Sequence, residues 1–120
     1  MNQEKIPTSL KPRLKVIDGE ITTTSLDVAE KFGKNHFDVL KAIRNLGCSE
    51  EFAKSNFALV METMTYRDSE GEMVTKETSR IDHIRMTKNG FSILAMGFTG
   101  KAAMKWKEAY INAFSFMETR

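Results

Sequence analysis

The chain has a single cysteine, Cys48, in 120 residues. No intrachain disulfide is possible, and no cysteine-built metal cluster can form. Proline is nearly as scarce. Both prolines fall within residues 1–12, where the hydrophobic residues follow no period, and residues 1–13 read as a flexible N-terminal arm. No apolar run approaches the roughly 20 residues needed to cross a bilayer. The opening "MNQEKIPTSLKPRLKVIDGE" is polar and lacks the apolar stretch of a secretion signal. A cytoplasmic protein without membrane association is therefore expected. His36 and His83 are the only histidines, far apart and without a helical metal-ligand spacing. Cys48 has no base or orienting acid suggested beside it, and there is no phosphate-cradling glycine loop and no catalytic carboxylate pair. These absences point away from an enzyme and call for neither cofactor nor metal.

What is present suits one small domain, expected over residues 14–120. A hydrophobic content of 41% beside 28% charged residues is ordinary for a soluble globular chain. The net charge of +2 becomes informative once it is divided along the sequence. Residues 1–48 hold eight Lys/Arg against six Asp/Glu, residues 49–82 four against eight, and residues 83–120 six against two. Positive charge thus sits at the two ends and the middle is acidic, as a polyanion-binding face made by both ends together would require.

The pattern of elements is mixed. "LKVI", "DGE" and Ile21 read as a strand, a tight turn and a return strand. Thr24 or Ser25 can cap a helix starting near Leu26, with Asp27 in its first turn. Leu26, Ala29 and Phe32 supply its apolar stripe, and Gly33 supplies the left-handed residue that ends it. Asn35 can cap a second helix from His36 to Leu46, in which Val39, Ile43 and Leu46 repeat at helical spacing. A short helical segment follows in "SEEFAKSNF". Beyond it "VMETMTY" reads as a strand, "RDSEGE" as a turn, "MVTKETS" as a return strand and "IDHIRM" as a third strand. "TKNGF" reads as a turn or helix cap. The last helix runs from Lys101 to about Met117, its stripe made by Ala103, Trp106, Tyr110, Ala113 and Met117. The expected fold is α+β: a small winged-helix-like domain with a helix-turn-helix, a β-hairpin and a C-terminal helix.

The segment "TTTSLDVAEKFGKNHFDVLKAIRNL" carries the functional expectation. In a helix-turn-helix a small residue lets the second helix pack closely, a glycine turns the corner and a branched residue closes the joint. Ala29, Gly33 and Val39 stand at those spacings. Asn35, His36, Lys41, Arg44 and Asn45 are the candidates for groove contacts and Lys34 for phosphate, with Asp38 the single negative charge among them. Thr23, Thr24 and Ser25, at the start of the first helix, would hold the DNA backbone. Lys101 and Lys105, one turn apart on the last helix, would add phosphate contacts. The acidic turn Asp68-Ser69-Glu70-Gly71-Glu72 would be repelled by phosphates, so the hairpin should support the helices or touch a partner.

The same segment resembles the opening of the Rha family of phage regulatory proteins, with a Ser-x-x-Val-Ala start, Phe-Gly-Lys, a His and an Ile-Arg-Asn ending. Ser25, Val28, Ala29, Phe32, Gly33, Lys34, His36, Val39, Ile43, Arg44 and Asn45 occupy those places. "MTKNGFSILAMGFTGKAAMKWKEAYINAFSFME" is similar to that family's closing signature. The resemblance implies a phage or prophage origin and a regulatory, DNA-associated role. Many members carry a further C-terminal domain, so functions housed there are not expected in these 120 residues. The expected partner is double-stranded DNA, with a homodimer through the C-terminal helix as a second association. The rival reading is a protein-interaction module that modulates a host or phage regulator without binding DNA specifically. A single-strand binder fits less well, because exposed aromatics are not interleaved with the basic residues.

Overall fold

The computed structural model describes residues 11–119. Of the expected flexible arm, residues 1–10 lie outside the described residues, and Arg13 is fastened through both its backbone groups. The fold is α+β. Its elements run β1 (Lys15–Ile17), β2 (Glu20–Thr24), α1 (Ser25–Phe32), α2 (His36–Arg44), α3 (Glu50–Asn56), β3 (Phe57–Arg67), β4 (Met73–Thr87), α4 (Lys88–Ala95) and α5 (Lys101–Glu118). One antiparallel sheet has the strand order β1-β2-β4-β3.

The first turn has two residues, since Ile17 pairs with Glu20. Asp18 and Gly19 both take positive φ, at 51° and 81°, the mirror-image turn whose twist matches that of the flanking strands. β2 then pairs with β4 through Thr22↔Thr87, Thr23↔Met86 and Thr24↔Arg85, and β4 pairs with β3 through Phe57↔Met86 and Ala58↔Arg85. Because side chains alternate along a strand, Thr23, Met86 and Phe57 share one face. Lys15, Thr22, Thr24, Ala58 and Arg85 share the other.

The helices cover the Met86 face. Val28 and Ala29 of α1, Val39 of α2, Phe91, Leu94 and Ala95 of α4, Phe98, and Tyr110 and Phe114 of α5 form one buried cluster with Met86. Its centre is aromatic: Phe91 stacks on Tyr110 at 4.4 Å between ring centroids, and Phe32 lies 4.8 Å from Phe98. α4 can approach this closely because Gly90 lacks a side chain. A Cβ there would stand 2.7 Å from the Asn56 carbonyl oxygen.

The sequence pattern predicts three strands between residues 60 and 86, whereas the structure has two. "MVTKETS" and "IDHIRM" are one continuous strand, β4. The pairing steps from Val60↔His83 to Met61↔Ile81 and then to Thr63↔Glu77, so β4 carries three residues more than β3 over this stretch. Such bulges break the two-residue period and bend the strand. The first of them returns Ile81 to the face of Ile84, three residues away, which is why the two isoleucines do not alternate.

Candidate nucleic-acid interface

The joint between α1 and α2 follows from a few residues. Thr24 caps α1, its hydroxyl accepting from the Asp27 N–H at 3.1 Å. Gly33, at φ 64° and ψ 37°, ends the helix in the left-handed region that only glycine adopts at little cost. The Ala29 carbonyl then accepts from the Lys34 N–H at 2.8 Å. Asn35 starts α2, its side-chain oxygen accepting from the Phe37 N–H at 2.9 Å. Ala29 and Val39 are both buried where the helices meet.

His36, Val39, Leu40 and Ile43 form the inner face of α2. Phe37, Asp38, Lys41, Arg44 and Asn45 form its outer face, and all five are exposed. Lys34 and Asn35, exposed as well, extend that face across the turn. The Lys34 ammonium lies 4.7 Å from the centre of the Phe98 ring, a cation–π contact between the turn and the segment before α5. Lys101 and Lys105 are exposed on the first turns of α5.

Three of the expected site residues face inward. Thr23 is 1% exposed and its hydroxyl donates to the Arg13 carbonyl. Ser25 is fully buried, its Oγ accepting from the Ile84 N–H at 2.9 Å and sharing a 2.9 Å hydrogen bond with His36 Nε2. The Thr23 hydroxyl joins β2 to the arm, the Ser25 hydroxyl joins α1 to β4 and to α2, and neither is displayed for a DNA backbone. His36 is a joint residue for the same reason. Burial lowers its pKa, with Asp82 opposing and His83 assisting, so the neutral ring is favoured. Thr24 is half-buried and spends its hydroxyl on the cap.

Behind the joint lies a polar network that sequence patterning did not reveal. Asp27 and Lys31 form an ion pair at 2.6 Å with side chains 2% and 1% exposed. The second oxygen of Asp27 accepts from the Tyr110 hydroxyl at 2.6 Å and from the Arg13 N–H at 2.8 Å. Burial, and the hydrogen bond to a carboxylate, push the Tyr110 pKa strongly upward, so it remains a donor. The spacing of Asp27 and Lys31, four apart on a helix, is visible in sequence; their burial depends on Tyr110 and is not. Phe37, 66% exposed on the first turn of α2, was also missed, although it lies off the Val39–Ile43 stripe. Among the described residues, no three His, Cys, Asp or Glu side chains gather where a metal ion could be held. Cys48 is a free, half-buried thiol. No helix among the described residues is long and apolar enough to cross a membrane.

A small α+β protein built on a tightly jointed helix pair, whose second helix leaves a cationic and amide-bearing face open, is the class these features define. The chain belongs to the family of the phage regulatory protein Rha, whose pattern it matches over residues 23–119. It is 36% identical over 100 residues to an uncharacterised 22.8 kDa protein from the gp15–gp3 intergenic region of Salmonella phage P22, covering 83% of this chain and 46% of that protein. An uncharacterised protein of Haemophilus influenzae is 37% identical over 111 residues, 89% of this chain and 58% of the relative. The SPbeta prophage-derived candidate antirepressor YoqD of Bacillus subtilis is 27% identical over 101 residues, 84% of this chain and 38% of that protein. The chain thus spans between 38% and 58% of the length of these relatives. No solved structure matches it.

Proposed function

We propose that these residues form the DNA-binding unit of a phage regulatory protein, which places α2 in the major groove of duplex DNA. The observation that carries this reading is the outer face of α2. It stays open while its inner face is locked onto α1, and among its polar groups Asp38 is the single carboxylate. Asn35, Lys41, Arg44 and Asn45 would meet base edges, Lys34, Lys101 and Lys105 would meet phosphates, and Phe37 adds an apolar group suited to a thymine methyl. Thr23, Ser25 and His36 hold the joint, and the start of α1 can offer the backbone only the vicinity of Thr24. The strand before the helix pair, β2, pairs with the second hairpin strand, β4. That order is the one a winged helix uses, so the fold is read as winged-helix-like with a hairpin held off the DNA by its acidic tip.

Selecting bound duplexes from a random pool tests the reading and returns the site. On the selected duplex, Arg44→Ala should weaken binding by about 1–3 kcal/mol if Arg44 reads a base, and wild-type affinity should fall steeply with salt. A pool that yields no enriched sequence, with weak binding indifferent to salt, would overturn it. That result would favour the second reading, a module that acts on another regulator through protein contacts. The acidic hairpin tip and the similarity to a candidate antirepressor support that alternative.

A further inference from the structure

The open face of the sheet, opposite the helices, holds a groove of roughly 890 Å³ between the segment leading into β1, β2 and the base of the hairpin. Four cations line it: Lys11, Arg13, Lys15 and Arg85. Among the described residues, none of them has a side-chain hydrogen-bond or ion-pair partner. Of the nearby carboxylates, Asp18 and Glu20 line an adjoining pocket with Lys54 and Arg85, and Asp82 is bonded to the groove residue His83 at 2.7 Å. Four like charges on one groove repel each other, and the arrangement is relieved by an anionic occupant. Three of them, Lys11, Arg13 and Lys15, precede the stretch that matches the family pattern.

The hairpin supplies the complementary charge. Its tip carries Asp68, Glu70 and Glu72 within five residues. Asp68 braces the turn by accepting from the N–H groups of Glu70 and Glu72 at 2.9 Å, and the Glu70 and Glu72 carboxylates have no partner among the described residues. Below the tip, Met64 and Tyr66 are 52% and 40% exposed on one face of the hairpin, with Val74 paired across from Tyr66. The groove answers this too, since Pro12, Leu14, Ile17 and Val60 give it apolar walls.

A chain cannot insert its own tip. Val60 and His83 line the groove, and the strand from Val60 to Arg67 advances about 3.3 Å per residue, so the tip stands roughly 23 Å beyond it. The ten residues before Lys11 hold one lysine and one glutamate and offer no net countercharge. We propose that the groove receives the acidic hairpin tip of a second copy of this chain, so that two copies clasp each other, each hairpin in the other's groove. The contact is isologous and closes on itself as a two-fold dimer. It is independent of α2 and leaves that helix free.

Sedimentation of the whole chain at micromolar concentration, at low and high salt, tests this with two charge-reversed variants. One is Glu70→Lys with Glu72→Lys. The other is Arg13→Glu with Lys15→Glu, at exposed positions whose replacement leaves the core intact; circular dichroism confirms folding of each. Wild type should sediment as a dimer that loosens as salt screens the contact. Each variant alone should self-associate at least ~100-fold more weakly. An equimolar mixture should recover the dimer, because in the mixed pair the reversed tip residues face the reversed groove residues and the native tip faces the native groove. The proposal is overturned by a wild type that stays monomeric, by a dimer that either reversal leaves intact (as an interface on α5 would be), or by folded variants that fail to pair when mixed. If wild type is monomeric and the groove reversal weakens its hold on a non-specific duplex, the groove belongs to nucleic acid instead.

Discussion

Helices α1 and α2 are close in length and both amphipathic, yet they are used differently. α1 lies between the sheet, α2 and α5, and it buries Ser25, Asp27, Val28, Ala29 and Lys31. α2 meets the body along one edge and fully buries Val39 alone. Both carry lysines. Lys31 is enclosed with its counterion, whereas Lys41 points to solvent. A basic residue on a helix therefore says nothing about its task until its neighbours are known. The charge of α1 serves the joint, and the charge of α2 is left for something outside.

The largest test of this contrast removes the anion of the buried pair. Asp27→Ala leaves the enclosed Lys31 ammonium with only the half-exposed Glu30 carboxylate, 3.6 Å away, and strips partners from Tyr110 and Arg13. Breaking a buried pair in this way should lower stability by about 3–5 kcal/mol, read from the urea midpoint at constant slope. A loss under about 1 kcal/mol would mean that the network behaves like a surface pair, and the contrast between the helices would collapse.

A smaller effect is expected where the two helices touch. The folded-state pKa of His36 lies below its ordinary 6.5 because burial disfavours the charged ring. Below about pH 6.5 the unfolded chain therefore binds more protons than the folded one. The stability contributed by His36 is complete above that value and declines as pH falls toward and through the folded pKa. His36→Gln should flatten this part of the profile. His83 and Asp82 face the same ring and are unchanged in the variant, so the difference between the two curves isolates His36. Identical curves would show that the ring titrates as freely folded as unfolded.

Which of these features could be read from sequence depends on how local their causes are. The Asp18-Gly19 turn, the Thr24 and Asn35 caps, the Gly33 corner and the Ala29–Val39 packing are set by residues within ten positions of one another, and all were legible. The long α5 was legible through its apolar period. The inward turn of Thr23 and Ser25 was not, because Thr23 faces inward through its pairing with Met86 of β4 and the Ser25 hydroxyl meets the Ile84 N–H, 59 residues away. The burial of Asp27 and Lys31 was hidden likewise, since Tyr110 lies 83 residues from Asp27. Bulges concealed the continuity of β4 by disturbing the period on which strand assignment rests. The basic groove is invisible for a related reason: Arg85 joins Lys11, Arg13 and Lys15 only once β4 lies across β2.

The smallest predicted effect on stability is the most telling about α2. Lys41 is exposed and has no side-chain hydrogen-bond or ion-pair partner among the described residues, so Lys41→Ala should change unfolding free energy by no more than about 0.5 kcal/mol. Alanine's better helix propensity even favours a slight gain. A side chain that contributes nothing to folding but lies on the face proposed to meet DNA should reveal itself in binding alone. Read as a base contact, Lys41→Ala should weaken the selected duplex by about 1–3 kcal/mol and relax its specificity at that base. Were Lys41→Ala instead to unfold the protein while Asp27→Ala did not, the outer face of α2 would be structural and α1 would be the displayed helix.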